Sequence, residues 1–284
     1  SINTETHPYL IVQVDKNNIV EESNEDNNTS YVLIDDSNAG GEEDWIKVDD
    51  FEAGIDDASW TFYQMEGNYL TMPSAELVQD PFGAGQGKVL SLHPGEPLTE
   101  SSLLLRIERS LPNNAQIVDP ISESKLATFY FKLGRPLVND TPAVADLYWG
   151  LATDQARDGV GLPLSYGDYS VLGRIEPDGI LDIRDDNGYL DLSSNQMEAI
   201  VWYEFWFVID HFNNRYSQYI RGGPEYPNTT LVYENAVYRN KTLGTLDTLL
   251  LLVNAGNTDN PKGLNEMYLD DFYIHLGGAM LSTP

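Results

Sequence analysis

Between residues 170 and 192 the chain is told to reverse direction twice. Ser170-Val171-Leu172-Gly173-Arg174-Ile175-Glu176 runs into Pro177-Asp178-Gly179. Ile180-Leu181-Asp182-Ile183-Arg184 then runs into Asp185-Asp186-Asn187-Gly188, and Tyr189-Leu190-Asp191-Leu192 follows. Asp-Gly and Asn-Gly supply the positive-φ positions of tight hairpin turns, so this stretch predicts a three-stranded meander. Turn signals recur roughly every 8–15 residues from Trp45 onward, a spacing that favours an all-β sandwich or barrel. Almost no stretch keeps a helical period.

Residues 201–221 tighten the prediction. Tyr203, Phe205, Phe207 and Ile209 are uniformly apolar and should face a core. Trp202, Glu204, Trp206, Val208 and Asp210 alternate with them and are mixed, as expected for a face that is partly open. His211-Phe212-Asn213-Asn214 turns the chain into a second strand at 215–221, ended by Gly222-Gly223-Pro224. Further strands are expected at 88–93, 102–109, 126–133, 145–152, 230–233, 247–253 and 267–275. Residues 45–284 therefore read as one antiparallel two-sheet β-sandwich. Residues 1–44 read as an acidic N-terminal extension or edge hairpin, with strands at 9–14 and 31–34 around an acidic loop at 21–28.

Charge narrows the function. The 284 residues carry 16 basic and 45 acidic side chains, a net charge of −29. Such a field repels nucleic acid and anionic membranes. It also disfavours strongly anionic polysaccharides, unless a local basic groove or a bridging Ca²⁺ offsets it. No apolar run approaches the roughly 18 residues of a membrane-spanning helix. With no cysteine there is no disulfide, thiolate metal site or cysteine nucleophile. The start at Ser1, the acidity, the few lysines and the many Asn, Asp, Gly and Tyr lead us to expect an exported protein, extracellular, periplasmic or at the cell surface.

Two acidic segments bracket the predicted sandwich: Val48-Asp49-Asp50-Phe51-Glu52-Ala53-Gly54, followed by Trp60, and Tyr268-Leu269-Asp270-Asp271-Phe272-Tyr273-Ile274. If the first and last strands are neighbours, their carboxylates meet and could hold a hard cation such as Ca²⁺. Together with Trp202-Tyr203-Glu204-Phe205-Trp206-Phe207-Val208 and residues 215–223, these segments resemble the concanavalin A-like lectin/glucanase sandwiches (LamG-like) and the jelly-roll carbohydrate-binding modules of polysaccharide-degrading bacteria. That resemblance covers residues 45–284. It implies a structural Ca²⁺ held by Glu52 and Asp271, with Asp50 or Asp270 contributing.

Sugars are bound by flat aromatic faces and a few fixed polar groups. Trp202 and Trp206 lie two positions apart on one strand face with Glu204 between them. Asp146 and Tyr148 share a face of their own strand, with Trp149 pointing the other way, and Arg174, Tyr219 and Arg221 add donors. If these strands belong to one sheet, that sheet presents a lectin-like surface. Catalytic patterns are sparse. The closely spaced Glu-x-Asp-x-x-Glu carboxylates of retaining glucanases of this fold are missing. So are Gly-x-Ser-x-Gly, His-Glu-x-x-His and a phosphate-cradling glycine loop. Thr128-Phe129-Tyr130-Phe131-Lys132-Leu133-Gly134 resembles a strand of alginate-lyase sandwiches, but their Gln-x-His partner is missing. The leading expectation is a secreted β-sandwich that binds an oligosaccharide or polysaccharide without catalysis. The alternatives are a polysaccharide lyase using Tyr130, Lys132 or His211, a glycoside hydrolase, or a surface protein that assembles with itself or partner modules through residues 1–44.

Overall fold

In the computed structural model the described residues are 9–13, 29–33, 45–56, 58–64, 69–71, 74–83, 87–93, 95–97, 105–118, 126–138, 141–142, 146–156, 163–186, 188–192, 196–241, 244–254 and 266–284. The chain divides into two compact units, 1–44 and 45–284. In the first, Tyr9–Gln13 and Thr29–Leu33 pair antiparallel, with Tyr9 opposite Leu33. The acidic stretch 21–28 lies outside the described residues.

Among the described residues, and besides two short two-stranded pairings, Tyr69–Thr71 with Glu96–Pro97 and Leu137–Val138 with Thr141–Pro142, the second unit has fifteen strands in two large antiparallel sheets. In chain order they are β1 (Trp45–Asp49), β2 (Trp60–Gln64), β3 (Ser74–Gln79), β4 (Lys88–His93), β5 (Leu105–Ser110), β6 (Leu126–Gly134), β7 (Asp146–Ala152) and β8 (Tyr169–Ile175). There follow β9 (Leu181–Asp185), β10 (Gly188–Asp191), β11 (Trp202–Asp210), β12 (Arg215–Gly222), β13 (Tyr226–Val237), β14 (Thr248–Asn254) and β15 (Met267–Leu276). The eight-stranded sheet runs β13-β12-β11-β6-β15-β4-β3, with β1 also paired to β15. The seven-stranded sheet runs β10-β9-β8-β7-β14-β5-β2. The expected meander is β8-β9-β10, and the expected hairpin at 201–221 is β11-β12.

Strand alternation sends every second side chain inward. Phe129, Phe131 and Leu133 of β6 and Tyr203, Phe205, Phe207 and Ile209 of β11 meet Leu147, Trp149 and Leu151 of β7 in one core. Phe131 stacks on Phe205 at 5.1 Å and meets Trp149 of the opposite sheet at 5.7 Å. Each such ring contributes about 1.5–3 kcal/mol by leaving water. Trp149 fits because residue 173 on the neighbouring strand is glycine: a Cβ there would lie 2.6 Å from the indole nitrogen.

The two acidic segments do become neighbours. Phe272 of β15 sits opposite Asp49 of β1. Phe51 packs against Trp60 at 5.6 Å and Phe272 at 5.9 Å. Asp49 anchors this aromatic knot, accepting from the Phe51 amide at 2.9 Å and from the Trp60 indole at 2.7 Å. On this side β15 pairs with β4 through Leu269 and with β1 from Phe272 onward. Asp270 and Asp271 fall at the changeover, where Asp271 takes a left-handed φ of 55°.

Candidate functional site

The outer face of the eight-stranded sheet is organised in cross-strand rungs. Register places Arg221, Glu204, Lys132 and Asp270 side by side on β12, β11, β6 and β15. The next rung is Tyr219, Trp206, Tyr130 and Tyr273. Three of the four charges in the first rung, Arg221, Glu204 and Lys132, find partners within the sheet. Glu204 accepts from the Tyr130 hydroxyl at 3.0 Å and is ion-paired with Arg221. Lys132 meets Asp271 at 2.5 Å. Burial and the adjacent Glu204 push the Tyr130 phenol far up, so it serves as a donor and not as a base.

The aromatic groups of this face are engaged too. Trp206 is fully buried, lies under the Arg221 guanidinium at 5.5 Å, and gives its indole N–H to the Ser282 carbonyl at 3.2 Å. The chain after β15 is tied down again at Thr128, whose hydroxyl donates to the Gly278 carbonyl at 2.8 Å. Trp202 is half-buried, donates to Asp80 at 3.2 Å and packs edge-on to Phe82 at 5.2 Å.

The outer face of the seven-stranded sheet has a rung of its own. Asp191, Asp182, Arg174, Tyr148, Leu252, Arg106 and Tyr63 follow one another across all seven strands. Apolar side chains on this face, Leu250, Leu252, Leu172 and Tyr169, are covered by Leu164 in the segment before β8. A capping box fixes that segment: the Ser165 amide donates to Asp168 at 2.5 Å, and the Gly167 amide to the Ser165 hydroxyl at 3.3 Å. It sets Tyr166 beside Tyr148, ring centres 5.1 Å apart.

Between this segment and the sheet lies a cavity of about 330 Å³, lined by Arg106, Tyr148, Ser165, Tyr166, Gly167, Leu252 and Asn254. Its polar groups are held in place yet incompletely used. The Tyr148 hydroxyl and the Asn254 amide both donate to Asp146 Oδ2, each at 2.9 Å. Asp146 Oδ1, Asn254 Oδ1 and Arg106 Nε are buried without a hydrogen-bond partner. Burial raises the carboxyl of Asp146. Burial and Asp146 drive the Tyr148 phenol up. At the rim, Arg174 stacks on Tyr189 at 3.7 Å and Arg239 on Tyr166 at 3.8 Å, and the two tyrosine hydroxyls bond to each other. Arg174 is paired with Glu176 and, at 2.7 Å, with Asp182, whose buried carboxyl is raised to about 6.

The residues expected to bind sugar are thus divided three ways. Trp202, Glu204, Trp206, Tyr219 and Arg221 share the eight-stranded face. Tyr148 and Arg174 belong to the seven-stranded face. Trp149 lies in the interior, fully buried, where alternation along β7 puts it. The premise that these strands form one sheet does not hold. Arg106, Tyr166 and Asn254 escaped the sequence reading. The signal for Asn254 was hidden because β14 reads Thr-Leu-Leu-Leu-Leu-Val-Asn, a run in which no face looks polar. His211, a lyase candidate, ends β11 and bonds to the Gly244 carbonyl at 2.7 Å. Seven residues of strand, about 23 Å, separate it from Glu204 and the rung that holds Lys132.

At the clasp formed where the two acidic segments meet, Glu52 accepts from the Lys88 amide at 2.8 Å and Asp50 is paired with Lys47 at 2.8 Å. Asp271 is held by Lys132, whereas Asp270 Oδ1 is buried with no partner. Burial, reinforced by Asp271, lifts the Asp270 carboxyl to about 8. Among the described residues no three acids or histidines converge as a metal shell.

No protein-family model matches the sequence, and no curated protein does. Solved structures do match. An endo-1,3-beta-glucanase from Streptomyces sioyaensis aligns over 84% of this chain and 99% of its own, at 12% identity and a TM-score of 0.50. A sialidase aligns over 81% of this chain at 14% identity and a TM-score of 0.50, but this chain spans 18% of that one. At such identities the likeness is one of fold. Strand order, antiparallel pairing and these neighbours together make residues 45–284 a jelly-roll β-sandwich of the concanavalin A-like kind.

Proposed function

We propose that this protein binds carbohydrate, and that its sugar site is the cavity on the seven-stranded sheet. One observation carries the reading: two tyrosine rings, an arginine and an asparagine converge on a 330 Å³ space while Arg106 Nε and Asn254 Oδ1 stay unpartnered. Aromatic faces suit the C–H patches of a pyranose, and a few fixed donors and acceptors suit its hydroxyls. The two sandwich structures named for action on carbohydrate support sugar as the ligand class.

Recognition without turnover fits this chemistry best. The Tyr148 phenol, held far above neutral, donates a hydrogen bond and does not take a proton. Asp146 spends one oxygen on Tyr148 and Asn254. Reducing-sugar and unsaturated-product assays on plant and algal polysaccharides are expected to show no activity. In calorimetry with the glycans that score on an array, Asn254→Ala should weaken binding about tenfold or more. Trp202→Ala, on the other sheet, should leave it unchanged. Binding that survives Asn254→Ala and fails in Trp202→Ala would move the site to the eight-stranded face.

A structural Ca²⁺ at the clasp is a separate proposal. Its support is the unpartnered oxygen of Asp270 beside Asp271, together with the likeness of the two acidic segments to calcium-holding modules. The ion would pin β15 to β1. Chelation is expected to lower Tm, and an unchanged Tm removes the ion from the account.

A further inference from the structure

We propose that the cavity on the seven-stranded sheet selects a sugar that carries a carboxylate, a uronate residue of an oligosaccharide, and that Arg106 is the group that reads it. The proposal rests on the cavity being a sugar site and specifies which sugar.

On the seven-stranded sheet Arg174 is paired with Glu176 and Asp182, and Arg109 with Asp49 at 3.8 Å. Arg106 pairs with no carboxylate among the described residues. Its hydrogen bond there is a long one, 3.4 Å from Nη1 to the Leu164 carbonyl, and its Nε has none. A guanidinium has five N–H donors in a planar fork that matches the two oxygens of a carboxylate. A half-buried arginine that lines a cavity and pairs with no carboxylate among the described residues suits an external one.

Its surroundings favour a single carboxylate over a denser anion. Arg174, Arg184 and Arg239 stack on Tyr189 and Tyr166 around the same rim, so four of the nine arginines serve this one face. They sit among Asp146, Glu176, Asp182 and Asp191 within a field of −29, and that field repels a ligand more strongly the more charge it carries. A heavily sulfated chain therefore meets a penalty that a sparsely charged uronate does not. Asn254 and Ser165 line the same cavity beside Arg106. The volume lies at the small end for ligand pockets, room for a terminal unit rather than a long stretch of chain.

The test is calorimetry on the intact chain at low ionic strength. It compares hexuronate tetrasaccharides, the same compounds methyl-esterified, neutral glucose tetrasaccharides, and sulfated galactose oligosaccharides. The uronate should bind about tenfold or more tighter than its methyl ester and than the neutral sugar. Arg106→Gln should erase that preference, bringing the affinity for the uronate down to that for its methyl ester. The ester comparison needs no variant, so a misfolded Arg106→Gln leaves the proposal testable. Equal affinity for ester and acid, or a preference for neutral or sulfated sugars, overturns uronate selection and leaves the sugar site standing. If none of the four binds and an array of other glycans also fails, the sugar site falls and uronate selection falls with it.

Discussion

The two outer faces of the sandwich are built on the same plan and end in opposite states. Each carries a rung of charged and aromatic side chains, one per strand, set by antiparallel register. On the eight-stranded sheet most of the rung closes on itself: Glu204 holds Arg221 and Tyr130, Asp271 holds Lys132, and Trp202 and Trp206 have given up their N–H, while Asp270 Oδ1 and the Trp45 indole nitrogen stay buried without a partner. On the seven-stranded sheet Leu252 separates Arg106 from Tyr148, and the segment 163–168 stands off the sheet to leave a cavity. There the donors and acceptors do not close on one another. Residue types that look alike in composition thus make a structural surface on one side and a receptive one on the other. What differs is whether the neighbour across the ladder completes the hydrogen bonding.

The largest expected effect tests what both faces share. Trp149→Ala removes the ring that joins β7 to Phe131 and Phe205, and should cost about 3–5 kcal/mol of stability. Denaturant midpoints measure this; a loss of sugar binding with full stability would instead mean that Trp149 reaches a ligand. Glu204→Ala should cost about 1–3 kcal/mol, because Tyr130 and Arg221 lose their acceptor, with sugar affinity unchanged. A neutral stability result would show that the eight-stranded rung is not self-satisfying.

The smallest effect sharpens the other face. Asp182 has a folded-state carboxyl raised to about 6 from 3.8 because burial outweighs Arg174. A raised carboxyl stabilises the fold in its protonated form, fully below about pH 3.8, and that contribution fades as pH rises through about 6. Asp182→Asn keeps the shape without the titration. The difference in Tm between wild type and Asp182→Asn should therefore drift between pH 4 and 6 in favour of the variant, and a flat difference would place the Asp182 carboxyl at an ordinary value.

Much of the scaffold could be read from local patterns. Tyr203, Phe205, Phe207 and Ile209 had to face inward because a period of two leaves no other choice. Asp178-Gly179 and Asn187-Gly188 had to turn, and the meander β8-β9-β10 follows from them. The candidate site was less legible. Tyr148 and Arg174 stood out as polar residues on alternating strands, but Arg106 sits 42 positions before Tyr148 and Asn254 a further 106 after it. Nothing local links them.

By itself the sequence determined the class: two layers of antiparallel strands, closed by paired acidic segments and carrying a net charge of −29. The reason is that period, turn chemistry and net charge are properties of short windows or of simple sums. Tertiary structure alone decided which sheet each strand joined. That assignment sent Trp202 and Trp206 into a face that satisfies itself, and gathered Arg106, Tyr148, Tyr166 and Asn254 around one cavity. Strand order across a sheet depends on contacts between residues far apart in the chain, and it is there that the candidate site is made.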